Sequence, residues 1–298
     1  SHDYAISKPF MKTRLDIYKK SHEVHFDKDK TYMRSVDVMI TTRCSLKCVS
    51  CSNLMQYYKE PKNSEHDNTL AALEILNKSV DYISEFRVIG GEPLMNKDWD
   101  KIVKGIVEKN PERKVFIYTN GTIAPKDEKL QPFKANKNIN FVITEYGSLS
   151  RNLNNLHNQL DKYEINYSST VADNWVDCST IKHHKRTVAQ NKEVFKQCCV
   201  KYLYTLLDGK LYRCPFIANA AKLKAIPDNP ADYVDLFANN QNIKFQIKRL
   251  VKAASFFPGC DFCVGRPYDP SSKLGYDGKG IVKAGIQTSK PIPYRLIK

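Results

Sequence analysis

From residue 35 onward, short runs rich in β-branched and aromatic residues alternate with segments whose apolar residues recur at helical spacing. Five such runs predict β-strands, at residues 35–44, 85–93, 114–121, 139–147 and 163–170. Amphipathic helices are predicted between them, at residues 69–83, 99–107 and 149–160. This alternation is typical of an α/β fold with a parallel sheet, either open or closed into a barrel.

Polar and turn-forming residues follow the predicted strand ends. The first run ends at Cys44, the second at Gly90-Gly91-Glu92-Pro93, the third at Thr119-Asn120 and the fourth at Thr144-Glu145. Ligands of such folds bind at the carboxyl ends of the strands. We therefore expect these segments to converge on one site, although about a hundred residues separate the first from the last.

The pattern changes after residue 175, where a smaller second module is predicted. Two short β runs surround Asp208-Gly209 within residues 202–214, which is a strong signal for a hairpin. A helix with a stripe of Ile243, Ile247 and Leu250 follows. The predicted division is an N-terminal extension at 1–35, a barrel at 36–190, the second module at 191–268 and a C-terminal tail at 269–298.

The 298 residues have the composition of an ordinary soluble globular protein, with 42% hydrophobic residues. No apolar run approaches the ~20 residues that span a bilayer, and the N-terminus lacks the apolar core of a signal peptide. These features predict a cytoplasmic protein without a membrane partner. The formal net charge of +15 indicates either a Lys-rich solvated surface or an anionic partner. The sequence has no basic block interleaved with aromatic residues, which would indicate binding to nucleic acid. An anionic small molecule is therefore the favoured partner.

Nine cysteines fall mostly in close pairs or triplets, and in a cytosolic chain this predicts metal ligands rather than disulfides. The segment CSLKCVSC places Cys44, Cys48 and Cys51 on the loop after the first strand. Structural zinc sites use four ligands, usually as two close pairs. Three thiolates on an iron–sulfur cube leave one iron without a protein ligand. An open metal position of this kind is where a substrate or a cofactor binds.

The C-x3-C-x2-C triplet after the first strand, with GGEP after the second, resembles the radical S-adenosylmethionine (radical SAM) superfamily. The resemblance implies a partial (β/α) TIM-like barrel of five or six strands. It also implies a [4Fe–4S] cluster on Cys44, Cys48 and Cys51 whose open iron is chelated by S-adenosylmethionine. Reductive cleavage would give methionine and a 5′-deoxyadenosyl radical, with a flavodoxin- or ferredoxin-type protein as reductant. Ser50 departs from the family, in which an aromatic residue often stands before the third cysteine and packs against adenine.

The resemblance further implies which strand-end residues contact S-adenosylmethionine. Gly90, Gly91, Glu92 and Pro93 would form the turn that approaches the cofactor, because glycine lacks a Cβ and proline fixes the backbone. Thr119 and Asn120 would line the pocket, and Thr144 or Glu145 would contact the ribose or the carboxylate. From the residues alone, an ordinary βα turn and an Asn-Gly turn remain alternatives.

A second set of cysteines belongs to the smaller module. Cys214, Cys260 and Cys263, with Cys198 or Cys199, supply four ligands for either a zinc knuckle or an iron–sulfur cluster. Their order resembles the twitch module, a shortened SPASM domain with an auxiliary [4Fe–4S] cluster on a β-hairpin and a short helix. Their intervals resemble those of a twitch-domain carbohydrate dehydrogenase. Because successive side chains point apart, only one of the adjacent cysteines is expected to bind, and Cys198 is nearer the family's interval.

Twitch and SPASM enzymes oxidise or epimerise carbohydrates, or modify peptides. The resemblance therefore implies hydrogen-atom abstraction from a carbinol C–H of an anionic sugar, polyol or nucleotide-sugar, leading to oxidation or epimerisation. A maturase of a ribosomal peptide and a non-catalytic iron–sulfur protein are the alternatives. Cys178, with Cys199 as fallback, is the candidate hydrogen-atom donor of an epimerase, unless it is simply a small buried hydrophobic residue. The basic stretch from His183 to Arg186 is either a phosphate site or a solvated loop.

Overall fold

The computed structural model describes residues 19–238, 242–252, 255–269, 271 and 276–292. The beginning of the predicted N-terminal extension and the end of the predicted tail lie outside these ranges. In the described part of the chain, no helix is long and apolar enough to cross a membrane.

Strands and helices alternate along most of the chain. The strands of the described residues are β1 (Tyr32–Thr41), β2 (Tyr82–Gly90), β3 (Lys114–Thr119), β4 (Ile139–Glu145), β5 (Asn166–Val171), β6 (Asn174–Val176), β7 (Leu203–Leu207), β8 (Lys210–Tyr212), β9 (Tyr233–Asp235) and β10 (Ile281–Lys283). The helical segments are α1 (residues 19–26), α2 (His66–Ser79), α3 (Trp99–Lys109), α4 (Asp127–Leu130), α5 (Leu153–Lys162), α6 (Val188–Lys196), α7 (Pro215–Lys222) and α8 (Ile243–Lys252).

Eight strands form one sheet in the order β5-β4-β3-β2-β1-β7-β8-β9. In this order, each strand from β5 through β1 to β7 is parallel to its neighbour. The pairs β7–β8 and β8–β9 are antiparallel. The strands at the two ends of this order do not pair with each other, so the sheet is open. The predicted α/β fold with a parallel sheet of partial-barrel type is confirmed, together with a small second sheet of β6 and β10.

The predicted hairpin is present as β7 and β8, joined at Asp208 and Gly209. Both turn residues have positive φ angles, 49° and 77°, which glycine and aspartate tolerate better than most residues. The hairpin extends the main sheet on the far side of β1. The division into a barrel and a second module stays a prediction, because the two parts share this sheet.

The two faces of the main sheet differ in polarity. On one face the cross-strand register aligns Leu206, Val38, Val88, Ile117 and Phe141, all of them buried. Trp99 of α3 packs edge-on against Phe141 at 6.1 Å between ring centroids, so this is the face that the helices cover. The opposite face is less apolar, and it opens into the cavity described below. A parallel sheet covered by helices on both faces would instead be apolar on both.

The chain returns to the cysteine loop near its end. β10 pairs antiparallel with β6, and the residues that follow it reach the segment between Cys44 and Cys51. Val49 N donates to Ile286 O at 2.8 Å, and Thr288 N donates to Lys47 O at 2.8 Å. The described part of the C-terminal tail therefore covers the loop that carries the first cysteine set.

Candidate functional site

The first cysteine set lies on one wall of a cavity at the carboxyl end of the sheet. Cys44, Cys48 and Cys51 all line this cavity, whose volume is about 330 Å³. Two amides point at the sulfur atoms: Asn120 Nδ2 lies 3.8 Å from Cys44 Sγ, and Gln287 Nε2 lies 3.3 Å from Cys48 Sγ. Burial, with the nearby Cys51, raises the pKa of Cys44 to about 12. Such a thiol ionises at neutral pH only where a bound cation stabilises the thiolate.

Two glycines allow the end of β2 to approach the cysteine loop. A Cβ on Gly90 would lie 2.4 Å from Thr41 O. A Cβ on Gly91 would lie 2.3 Å from Arg43 O and 2.6 Å from Cys44 Cβ. Gly91 N donates to Thr41 O at 3.1 Å, which fixes this close approach. The absence of a Cβ therefore lets the backbone at the end of β2 pack against the backbone of the cysteine loop. Both glycines also line the cavity.

Glu92 and Pro93 do not line the cavity. The Glu92 carboxylate is fully buried and accepts hydrogen bonds from Leu94 N (3.1 Å), Thr119 Oγ1 (2.9 Å) and Asn120 N (2.8 Å). Burial raises its pKa to about 7, while these three donors oppose the rise. Pro93 begins a single turn of 3₁₀ helix. Glu92 therefore joins the end of β2 to the end of β3 and positions Asn120 beside Cys44.

The remaining predicted cofactor residues divide between the cavity and the surface of the sheet. Thr119, Asn120 and Thr144 line the cavity. Glu145 does not, and its carboxylate instead accepts a hydrogen bond from the Ser169 hydroxyl on the neighbouring strand. The contacts of these residues with S-adenosylmethionine therefore stay predictions.

The second cysteine set comes together from three separate segments, because Cys260 and Cys263 belong to the same turn. Burial raises the pKa of Cys198, and Cys214 and Cys263 add to the rise. Burial likewise raises the pKa of Cys260, with further contributions from Cys214, Cys198 and Cys263. The four thiols therefore lie within electrostatic range of one another. Cys199 is exposed, and its backbone N donates to Arg266 O at 2.7 Å.

Both thiol sets have the donor chemistry of iron–sulfur sites. Among the described residues, no three His, Cys, Asp or Glu side chains lie close enough together to hold a single metal ion. A [4Fe–4S] cube takes one thiolate at each of several iron atoms, so its ligands need not converge on one metal. Three thiols at a cavity wall and four thiols that are buried or half-buried fit this group by number and by donor type.

The basic stretch before α6 is held by acidic residues. His183 Nε2 lies 3.1 Å from Asp261 Oδ2, and His184 Nδ1 lies 3.3 Å from Asp277 Oδ2. Arg186 Nη1 donates to the carbonyl oxygens of Cys260 (3.1 Å) and Cys263 (2.9 Å). These contacts fix the loop between the two cysteines, and they leave the phosphate site as an untested prediction.

Cys178, the candidate hydrogen-atom donor, is 8% exposed and does not line the cavity. Its thiol is instead within electrostatic range of Arg266, Cys199 and Cys263. The structure therefore places Cys178 on the side of the second cysteine set.

Several cavity residues were not predicted from the sequence. Among them are Asp37, Arg87, Tyr118, Tyr146, Trp175 and Arg266. The first two carried a signal, because a charged residue inside an otherwise apolar strand, as in VDVMI and FRVIG, is unusual. Tyr146 and Trp175 pack edge to face at 5.7 Å between ring centroids. Gln287 had no signal, since its contact with Cys48 spans 239 positions of the sequence.

Comparison with known proteins agrees with the cysteine pattern. Residues 38–146 match the family described as the Radical SAM superfamily. This part of the chain belongs to that superfamily, as the triplet and GGEP predicted.

Parts of the chain are similar to a curated sequence and to two solved structures. A probable GTP 3′,8-cyclase of Methanococcus maripaludis is 34% identical over 99 residues, which cover 32% of this chain and 31% of that protein. The chain thus spans about a third of the length of this curated relative. A crystal structure of BtrN in complex with AdoMet and 2-DOIA covers 82% of this chain and 97% of BtrN, at 17% identity and a TM-score of 0.48. Streptococcus suis SuiB bound to the precursor peptide SuiA covers 71% of this chain and 64% of SuiB, at 12% identity and a TM-score of 0.35.

Proposed function

We propose that the protein is a radical SAM oxidoreductase that abstracts a hydrogen atom from a carbinol C–H of a sugar, polyol or nucleotide-sugar. The observation that carries this proposal is the set of three thiols, Cys44, Cys48 and Cys51, on the wall of a cavity with polar side chains. These thiols would hold a [4Fe–4S] cluster with one open iron. With S-adenosylmethionine bound there, the cluster would supply a 5′-deoxyadenosyl radical.

The chain itself would bind and orient the two ligands of this cavity. Gly90 and Gly91 leave room for S-adenosylmethionine beside the cysteine loop, because neither has a Cβ. Thr144 and Asn120 offer polar side chains at the strand ends. Tyr146 and Trp175 form an aromatic wall that would exclude water and contact the C–H groups of a sugar ring.

We assign the second cysteine set to an auxiliary [4Fe–4S] cluster on Cys198, Cys214, Cys260 and Cys263. The assignment is supported by the proximity of these four thiols, which is close enough for them to raise the pKa of Cys198 and Cys260. Cys199 is exposed, and the neighbours of its thiol are Arg266 and Cys178 rather than the other ligands. An acceptor of one electron next to the cavity suits oxidation, in which the substrate radical loses an electron and a proton.

Oxidation is favoured over epimerisation by the position of Cys178. A hydrogen-atom donor must reach the substrate from the face opposite the adenosyl group, and Cys178 does not line the cavity. The reductant would be a flavodoxin- or ferredoxin-type protein, and the net charge of +15 suits an acidic electron donor. A peptide maturase and a non-catalytic iron–sulfur protein remain the competing functions.

Iron content and cofactor cleavage test the proposal. Anaerobic reconstitution is expected to give about eight irons per chain, four for each of two clusters. Incubation with dithionite and S-adenosylmethionine should then release 5′-deoxyadenosine slowly. Replacing Cys44, Cys48 and Cys51 with Ala should remove about half of the iron and all of the release, whereas Cys178→Ser should keep both. A wild-type protein that binds both clusters but releases no 5′-deoxyadenosine would be an electron carrier or regulator instead.

The mass of the product distinguishes oxidation from epimerisation. An oxidised product is two mass units lighter than the substrate and gains no deuterium at the reacting carbon in D₂O. An epimer keeps the substrate's mass in H₂O and carries one deuterium in D₂O, because a thiol exchanges its proton with solvent. One deuterium in the product, lost with Cys178→Ser, would contradict our choice of oxidation.

A further inference from the structure

A row of polar side chains crosses the face of the main sheet that opens into the cavity. Asp37 of β1 is paired in register with Arg87 of β2 on one side and with Thr205 of β7 on the other. Because alternate residues of a strand share a face, this row lies opposite the apolar row of Val38, Val88 and Leu206. Asp37 and Arg87 both line the cavity.

The fold leaves these groups without hydrogen-bond partners. Asp37 is 1% exposed, yet neither of its carboxylate oxygens accepts a hydrogen bond within the described part of the chain. Arg87 Nε lies 3.1 Å from Asp37 Oδ1, but the two do not form a hydrogen bond. The Thr205 hydroxyl, which is fully buried, also lacks a partner among the described residues. Buried polar groups are nearly always satisfied, so unsatisfied groups that face a cavity indicate a ligand.

The surroundings hold the pair in place without using its hydrogen-bonding capacity. The Arg87 guanidinium stacks over the Tyr118 ring at 4.5 Å from the centroid. Burial raises the pKa of Asp37, and the nearby Arg87 and Arg266 oppose that rise. Arg266 Nη2 donates to Ser52 O at 2.5 Å, while its Nε has no partner in the described structure.

We propose that Asp37 and Arg87 are the specificity-determining residues that recognise adjacent hydroxyl groups of a polyhydroxylated substrate. The carboxylate would accept hydrogen bonds from the hydroxyl protons, and the guanidinium would donate to the hydroxyl oxygens. This inference rests on the proposed function for the position of S-adenosylmethionine in the same cavity, and it narrows the substrate class to sugars and cyclitols.

The chemistry of the pair suits a diol better than an apolar or a simply anionic group. A carboxylate accepts only and a guanidinium donates only, so together they match groups that donate and accept at once. An apolar ligand would leave the hydrogen-bonding groups of this buried ion pair unsatisfied, at a cost in free energy. A lone anionic group would be attracted by the Arg87 guanidinium but repelled by the Asp37 carboxylate.

Binding without turnover tests this proposal. The cluster-loaded protein is held anaerobically with S-adenosylmethionine and without reductant, and the probes are myo-inositol, D-glucose and D-glucose 6-phosphate. Saturation-transfer NMR and calorimetry are expected to detect binding of at least one probe to the wild type. Asp37→Asn and Arg87→Gln should each weaken that binding by about tenfold or more, because each removes a charged hydrogen-bond partner.

A matched ion pair outside the cavity serves as the control. Asp100 and Lys129 are also partly buried, with 2.5 Å between Oδ1 and Nζ, but they join α3 to α4. The double variant Asp100→Asn/Lys129→Met should bind the probes as the wild type does. Failure of all three probes to bind the wild type, or binding by Asp37→Asn and Arg87→Gln within twofold of the wild type, would overturn the proposal.

A double variant separates recognition from folding. Asp37→Asn/Arg87→Met removes both charges, so it leaves no unpaired buried charge, and it should fold with the full iron content but not bind the probes. Loss of folding in this variant would show that the pair is structural and would contradict the proposal. Release of 5′-deoxyadenosine by the wild type is measured separately, so a failed radical function and a failed recognition site give different results.

Discussion

Asp37 shows how a single residue can oppose the stability of the fold around it. Its strand is buried along most of its length, and desolvation raises the carboxyl pKa to about 7. Glu85 adds to the rise, whereas Arg87 and Arg266 oppose it. The folded protein therefore binds this proton more tightly than the unfolded chain does. The stability associated with this group must fall as the pH rises from about 4 towards 7.

Replacing Asp37 with Asn should remove this dependence on pH. Between pH 5 and pH 8 the free energy of unfolding of the wild type should fall by up to about 3 kcal/mol relative to Asp37→Asn, since each pKa unit corresponds to about 1.4 kcal/mol. Anaerobic urea unfolding of the cluster-loaded proteins at several pH values measures this difference. A difference that stays constant, or that grows in favour of the wild type, would show that the carboxylate is ionised without penalty in the folded state.

The sequence predicted residues whose role depends on local spacing, and it did not predict those whose role depends on distant partners. Cys44, Cys48 and Cys51 form a set within eight positions, so their spacing alone indicated a shared ligand. Glu92 belongs to the same recognisable motif as Gly90 and Gly91, yet its carboxylate binds Thr119 and Asn120. That role depends on where β3 ends relative to β2, which no local pattern contains.

At the scale of elements, hydrophobic periodicity predicted the long strands and helices. The predicted strand at 114–121 corresponds to Lys114–Thr119, and the predicted helix at 99–107 corresponds to Trp99–Lys109. Both have a strong apolar period because one side faces the core. β6 is only Asn174–Val176, and its pairing with β10 was not predicted. Three residues are too few to show a period, and their partner lies about a hundred positions away.

The contact between the end of β2 and the cysteine loop can be tested with Gly91→Ala. The added Cβ would lie 2.3 Å from a backbone oxygen and 2.6 Å from Cys44 Cβ, so the cysteine loop must shift. We expect anaerobic reconstitution to fall from about eight irons per chain towards about four, because only the first cluster site is displaced. Release of 5′-deoxyadenosine should fall with it.

Gly105→Ala is the matched control for this substitution. Its added Cβ would lie 2.5 Å from Leu70 Cδ1, which is the end of a flexible side chain, and alanine is the better helix former. This variant should keep the full iron content. If Gly91→Ala also loads eight irons and releases 5′-deoxyadenosine at the wild-type rate, the close approach does not position the first cysteine set.

At the scale of the whole molecule, long-range pairings decide the environment of both cysteine sets. The hairpin was predicted, but its addition to β1 on the side away from β2 was not. Nor was the return of the tail, in which Gln287 reaches Cys48. Both arrangements depend on which strand edges and loops remain uncovered after the core has formed. The sequence therefore predicted which cysteines belong together better than it predicted what covers them.

The last prediction concerns the choice between Cys198 and Cys199. In a Cys44/Cys48/Cys51→Ala background, the auxiliary site is the only predicted cluster site, and reconstitution should give about four irons per chain. Cys198→Ala would leave three thiols and an exposed iron, so the cluster should lose iron to a chelator much faster. Cys199→Ala should lose iron at the rate of the background protein, because the exposed Cys199 lies outside the four-thiol set. Absorbance at the cluster's visible band, followed after addition of EDTA, measures both rates. The opposite order of rates would exchange the two cysteines, and one zinc in place of four irons would contradict the auxiliary cluster itself.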